Sequence, residues 1–163
     1  MNIILIGMPG CGKSCMGRAL ASKLKMKNVD GDRLIENKTG KKLQDIIDNK
    51  GLDAFRKIEE EVLLSIEGDN LIISPGGSAV YYPSVMEHFK KIGKVVYLYV
   101  GLDVLKARLG DFSKRGVVMR PGQTIDDLFI ERCLLFEKYA DIKINCDGNH
   151  YTSYQTELIS KLK

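Results

Sequence analysis

Residues 1–14 read MNIILIGMPGCGKS, and the eight from Gly7 to Ser14 decide the fold. Gly7-Met8-Pro9-Gly10-Cys11-Gly12-Lys13-Ser14 fits the pattern G-x-x-x-x-G-K-[ST]. The apolar run Asn2–Ile6 precedes it as a strand, and Lys13–Leu24 follows as a helix with Met16, Leu20 and Leu24 at four-residue spacing. Glycines let the backbone turn tightly and aim N–H groups at an anion, and the helix adds its positive end. The backbone of Gly10, Cys11 and Gly12, with Lys13, Ser14 and the following Cys15, is therefore expected to hold the phosphates of a nucleotide. Lys13 would reach the β- and γ-phosphates and Ser14 would ligate Mg²⁺.

Outward from this loop, short apolar runs alternate with helical patterns. Strands are expected at Asn2–Ile6, Asn28–Val29, Leu71–Ser74, Val95–Val100 and Ile142–Asn145. Helices are expected at Lys13–Leu24, Leu52–Ile66, Ser84–Ile92, Leu102–Leu109, Thr124–Tyr139 and Thr152–Leu162, with a capping box from Thr124 to Asp127. Such alternation argues for a parallel sheet covered on both faces, a three-layer α/β fold. The stretch GDFSKRGVVMRPGQ, residues 110–123, fits neither period and has the length of a functional lid.

The 163 residues suit one domain with a substantial core. A net charge of +4, with acidic and basic residues interleaved, suits an anionic metabolite and is too weak to argue for nucleic acid. No apolar run is long enough to span a membrane, and residues 1–20 lack the marks of a signal peptide, so a cytoplasmic location is expected. Cys11, Cys15, Cys133 and Cys146 lack metal-site or redox spacing and read as reduced thiols. His88 and His150 stand alone and read as surface residues.

The chain carries no Asn-Lys-x-Asp segment of the kind that reads guanine, so a small-molecule kinase fits better than a regulatory GTPase. Asp30-Gly31-Asp32 follows the second strand, where one carboxylate can reach Mg²⁺ water and the other a substrate hydroxyl. A solvated turn is the plainer alternative. Arg56 and Glu59 share a helix face, so Glu59 can hold the guanidinium as a carboxylate clamp; an ordinary surface ion pair is the alternative.

In combination these segments resemble shikimate kinase, a compact P-loop family. The resemblance rests on GMPGCGKS at 7–14, DGDRLIENKTGKKLQDI at 30–46, GLDAFRKIEEEVL at 51–63, PGGSAV at 75–80 and ERCLLFEKYADIKIN at 131–145. It implies a single kinase domain over 1–163 with a five-stranded parallel sheet in the order 2-3-1-4-5. A substrate-binding segment would occupy about 31–60 and a lid about 110–122. It further implies MgATP-dependent phosphorylation of the shikimate 3-hydroxyl, by a monomer with no nucleic-acid or membrane partner. Asp30 would join Ser14 at Mg²⁺, and Asp32 would bind the substrate hydroxyl. Arg56 and Arg132 would clamp the substrate carboxylate, with Glu59 orienting Arg56, while Gly76, Gly77 and Ser78 line the ring. Arg115 would swing over the transferring phosphoryl group, with Arg120 as its rival, and Arg108 would stack near the adenine.

The chain departs from the family pattern at Cys15, at Ser78, after Arg115 and after Arg132. Ser78 puts a side chain where the family has a third glycine and the substrate ring should pass. That leaves a second acceptor in play, another small hydroxyl compound bearing a carboxylate. A nucleotide-binding module without transfer activity is the third reading.

Overall fold

The computed structural model describes residues 1–110, 119–148 and 151–163. Five strands form one sheet: β1 (Asn2–Ile6), β2 (Lys27–Asp30), β3 (Leu71–Ser74), β4 (Gly93–Tyr99) and β5 (Ile142–Asn145). Their order is β2-β3-β1-β4-β5, and all four pairings are parallel. The expected fold class and strand order are therefore correct. Every residue of β1 and β3 is buried, which is why both read as unbroken apolar runs. The edge strand β2, Lys-Asn-Val-Asp, has no such run and was legible only as two residues. Asn2 is fully buried at the base of β1, where its amide donates to Gly68 O at 2.8 Å and accepts from Leu71 N at 2.9 Å. This one side chain fixes where β3 enters the sheet, and both halves of its amide are satisfied.

Helices α1 (Lys13–Leu24), α2 (Gly31–Thr39), α3 (Leu43–Lys50), α4 (Leu52–Leu64), α5 (Pro83–Ile92), α6 (Leu102–Leu109), α7 (Ile125–Tyr139) and α8 (Tyr151–Leu162) complete the described residues, with a 3₁₀ turn at Ala79–Tyr81. The capping box of α7 forms as the sequence predicts: Thr124 Oγ1 accepts from Asp127 N at 3.2 Å, and Asp127 Oδ2 accepts from Thr124 N at 3.1 Å. The helices α2 and α3 were not anticipated. Both are short, and most of their apolar residues pack on α4, with Leu34 also touching the main core. Ile35, Ile46, Phe55 and Val62 form a small core of their own, apart from the main core around the sheet. His88 is half-buried with its ring nitrogen 2.9 Å from Ile66 O, a correction to its reading as a surface residue. His150 lies outside the described residues.

The loops after β1, β2 and β3 all leave the carboxyl edge of the sheet. In open parallel sheets that edge is where ligands bind.

Candidate active site

The loop from Gly7 to Gly12 wraps around the ammonium group of Lys13. Lys13 Nζ donates to Gly7 O at 2.7 Å and to Met8 O at 2.9 Å, and the side chain is only 8% exposed. Gly10 and Gly12 sit at φ +80° and +94°, left-handed conformations that side chains beyond glycine rarely adopt. Gly12 caps α1 with no side-chain bond, which leaves the first N–H groups of that helix free for an anion.

Ser14 and Asp30, sixteen residues apart, meet here: Ser14 Oγ donates to Asp30 Oδ2 at 3.0 Å. The other oxygen of Asp30 caps α2, accepting from Asp32 N at 3.1 Å and Arg33 N at 3.2 Å. The carboxylate is thereby fixed in direction by the unanticipated helix α2, which begins immediately after it. Two oxygen donors beside a phosphate-binding loop are the donor set that a hard divalent cation takes.

A cavity of about 300 Å³ opens beside these groups, and Asp32, Glu59, Gly76, Gly77, Ser78 and Arg132 form its opposite wall. Asp32 is pushed up from 3.8 to about 6, first by burial, then by the negative charges of Glu59 and Asp30; Lys13 opposes the shift and Glu36 adds to it. Gly76 has no room for a side chain, since a Cβ there would sit 2.9 Å from Asp32 Oδ1 and 3.1 Å from Glu59 Oε2. A Cβ on Gly77 would sit 2.8 Å from Arg132 Nη1. Both glycines thus allow the backbone to pass directly against the charged groups of the cavity.

Glu59 is 1% exposed, and burial raises its pKa against the opposing pull of its hydrogen bonds and of Arg132 and Arg56. Its Oε1 accepts from Ser78 Oγ at 2.5 Å and from Tyr82 OH at 2.8 Å. Two expectations change here. Ser78 does not project its hydroxyl into the path of a substrate ring, because that hydroxyl is spent on Glu59 in the wall. Glu59 in turn does not grip Arg56 directly. Among the described residues no ion pair joins Arg56 to a carboxylate, and its Nε is buried without a hydrogen-bond partner. The Arg56 and Arg132 guanidinium groups lie instead against the ring of Tyr81, at 5.7 and 5.2 Å from its centroid. Tyr81 and Tyr82 were missed in the sequence, where the Gly-Gly-Ser signal was read no further than Val80. Two adjacent tyrosines directly behind a site loop are the signal that pointed to them.

A second cavity of about 250 Å³ is lined by Cys11, Arg108, Tyr151 and Tyr154 among others. Gly12 and Cys15 line both cavities, so the two abut across the phosphate-binding loop. Arg108 is tied down by Gly10 O at 3.4 Å and Cys146 O at 3.3 Å. Arg115 lies outside the described residues. Arg120 pairs with Glu131 Oε2 at 2.9 Å, a carboxylate it shares with Gln123, and so is anchored on α7.

The family profile described as shikimate kinase matches residues 9–163. The chain belongs to the shikimate kinase family. A shikimate kinase from Sulfurihydrogenibium sp. (strain YO3AOP1) is 38% identical over 163 residues, covering 99% of this chain and 98% of that protein. One from Francisella tularensis subsp. novicida (strain U112) is 35% identical over 90% of this chain and 86% of its own. The shikimate kinase of Acinetobacter baumannii, solved in complex with shikimate, superposes with a TM-score of 0.88 at 30% identity, over 99% of this chain and 92% of that one. As a member of this ATP-dependent family the chain is a kinase.

Proposed function

We propose that this protein transfers the γ-phosphoryl group of ATP to the 3-hydroxyl of shikimate, with the donor held at Gly10–Cys15 and the acceptor in the cavity walled by Asp32, Gly76, Gly77 and Arg132. The observation that carries the residue assignment is that Lys13, the Ser14–Asp30 pair and Asp32 face one cavity whose far wall holds a buried guanidinium, Arg132. Asp32 stands where an acceptor hydroxyl would meet the phosphate side, and its raised pKa suits a carboxylate that takes a proton late in transfer. Lys13 carries the positive charge nearest the phosphate loop and neutralises charge as it builds on the transferring group. Arg108, in the wall of the second cavity, is read as the adenine neighbour. Arg115 is read as the lid residue over the phosphoryl group, with residues 110–122 excluding water.

Ser14 and Asp30 fit Mg²⁺ by their oxygen chemistry and their shared direction, and they are proposed to hold it. When bound, the ion supplies charge neutralisation between the β- and γ-phosphates. The reading has the protein working as a cytoplasmic monomer without a nucleic-acid partner. Among the described residues no helix is long and apolar enough to cross a membrane.

The test is ADP release with MgATP against shikimate and a panel of other hydroxy acids. Turnover that depends on shikimate is expected. Turnover with another acceptor alone would reassign the substrate, and none at all would leave a binding module. The case for a different acceptor rested on the side chain of Ser78 and on the lid sequence; the Ser78 hydroxyl is taken up by its bond to Glu59, and residues 111–118 of the lid lie outside the described residues.

Arg56→Ala tests the acceptor side. Loss of a charge-assisted clamp is expected to raise the KM for shikimate by roughly 10- to 100-fold while the KM for ATP stays as it was. An unchanged shikimate KM would remove Arg56 from the site.

A further inference from the structure

Arg56 on α4 and Arg132 on α7 carry like charges and lie seventy-six positions apart in the chain. Something must set the spacing of the two guanidinium groups. Tyr81, the last residue of the 3₁₀ turn behind the Gly-Gly-Ser loop, lies against both. Its ring centroid is 5.7 Å from Arg56 Cζ and 5.2 Å from Arg132 Cζ, each within the range of cation–π attraction. Its hydroxyl also accepts from Arg132 Nε at 3.4 Å. On another side Arg132 is confined by Gly77, whose missing Cβ leaves room for Nη1. The turn itself is fixed: Tyr81 N donates to Ser78 O at 3.0 Å, and the side chains of Ser78 and Tyr82 both anchor on Glu59. The ring therefore has a rigid footing, and it lies within cation–π reach of two cations that would otherwise repel.

We propose that Tyr81 is a positioning residue for the carboxylate clamp: it holds the Arg56 and Arg132 guanidinium groups at a set separation and so gives the site its preference for an acceptor bearing a carboxylate. The inference rests on the reading of Arg56 and Arg132 as that clamp. Tyr81 touches no reacting atom, so its contribution falls on acceptor binding and not on the transfer step. The Arg56 Nε, buried and without a partner, is the group whose direction depends most on the ring, since no hydrogen bond holds it.

The experiment compares the whole protein, wild type and Tyr81→Leu, with shikimate and with its methyl ester, which keeps the hydroxyls and lacks the negative charge. Wild type is expected to prefer the acid. Tyr81→Leu is expected to lose about tenfold in kcat/KM for shikimate, mostly through KM, with the ester and the KM for ATP moving less than twofold. Tyr81→Phe, which loses only the hydroxyl acceptor, should fall between the two. Tyr81→Met fills the same space flexibly and replaces Tyr81→Leu if that variant does not fold. Equal losses on acid and ester, or an unchanged KM for shikimate, would make Tyr81 a packing residue and overturn the proposal. A wild type that does not prefer the acid would overturn the clamp, and this inference with it.

Discussion

Asp32→Asn is expected to abolish phosphoryl transfer and to make the protein harder to melt. The activity loss should reach about a thousandfold, because the amide oxygen can still accept from the attacking hydroxyl but is too weak a base to take its proton. The gain in stability follows from the environment of the native carboxylate. Burial, Glu59 and Asp30 raise it from 3.8 to about 6, so between those values the folded protein holds a proton that the unfolded chain has released. Stability therefore falls as pH rises from about 4 through 6, and at pH 7 the ionised Asp32 costs the fold on the order of 2 kcal/mol. Asparagine resembles the protonated form and does not carry that cost. A Tm raised by roughly 5 °C at pH 7 is expected in the ligand-free protein. The difference should vanish below about pH 4, where wild type is protonated in both states. A variant that melts no later than wild type at pH 7 would show that Asp32 is not strained by its surroundings. Near-normal turnover would remove it from the mechanism.

Lys13→Ala is expected to lower kcat by about a thousandfold or more while the fold survives. The ammonium group is the only side-chain cation that the described part of the phosphate loop folds around, and its charge is needed most where negative charge accumulates on the transferring group. Its removal also takes the ammonium donor from Gly7 O and one of two donors from Met8 O, which keeps the Cys11 N–H, so a modest drop in Tm should accompany the kinetic loss. Circular dichroism separates the two effects, since the sheet does not depend on this side chain. Turnover within tenfold of wild type would mean that some other cation carries the charge.

The two predictions differ in what the sequence could supply. Lys13, Ser14 and the strand before them are local: eight consecutive residues carry the pattern, and the buried strand β1 is apolar throughout. That the sheet is parallel was legible from strands alternating with helices and from β1 and β3 as continuous apolar runs; its strand order came from the family resemblance alone. Asp30 and Asp32 were legible as a pair with different expected roles, but the element that sets them apart was not. Their division of labour comes from α2, which starts at Gly31 and ties one carboxylate as its cap while burying the other. Nothing in a polar nine-residue segment announced that helix; its stability derives from Ile35 packing on α4. Glu59 shows the limit most clearly. Helical spacing paired it with Arg56, three residues before, whereas its hydrogen bonds run to Ser78 and Tyr82, nineteen and twenty-three residues onward. Spacing along one helix reports which residues can meet, and the tertiary fold chose others. Ser78, read from its departure from the family's third glycine as bulk in a pocket, gives its hydroxyl to Glu59 in the wall.

The small core of Ile35, Ile46, Phe55 and Val62 has a consequence for how such an enzyme changes over generations. These residues hold α2, α3 and α4 to one another, and the nucleotide loop belongs to the other core. Drift among these four residues can therefore shift Asp32 and Arg56, carried by α2 and α4, with little effect on β1 and the start of α1, which pack in the main core. Under the proposed function, selection could vary what is phosphorylated while the phosphate loop is inherited intact.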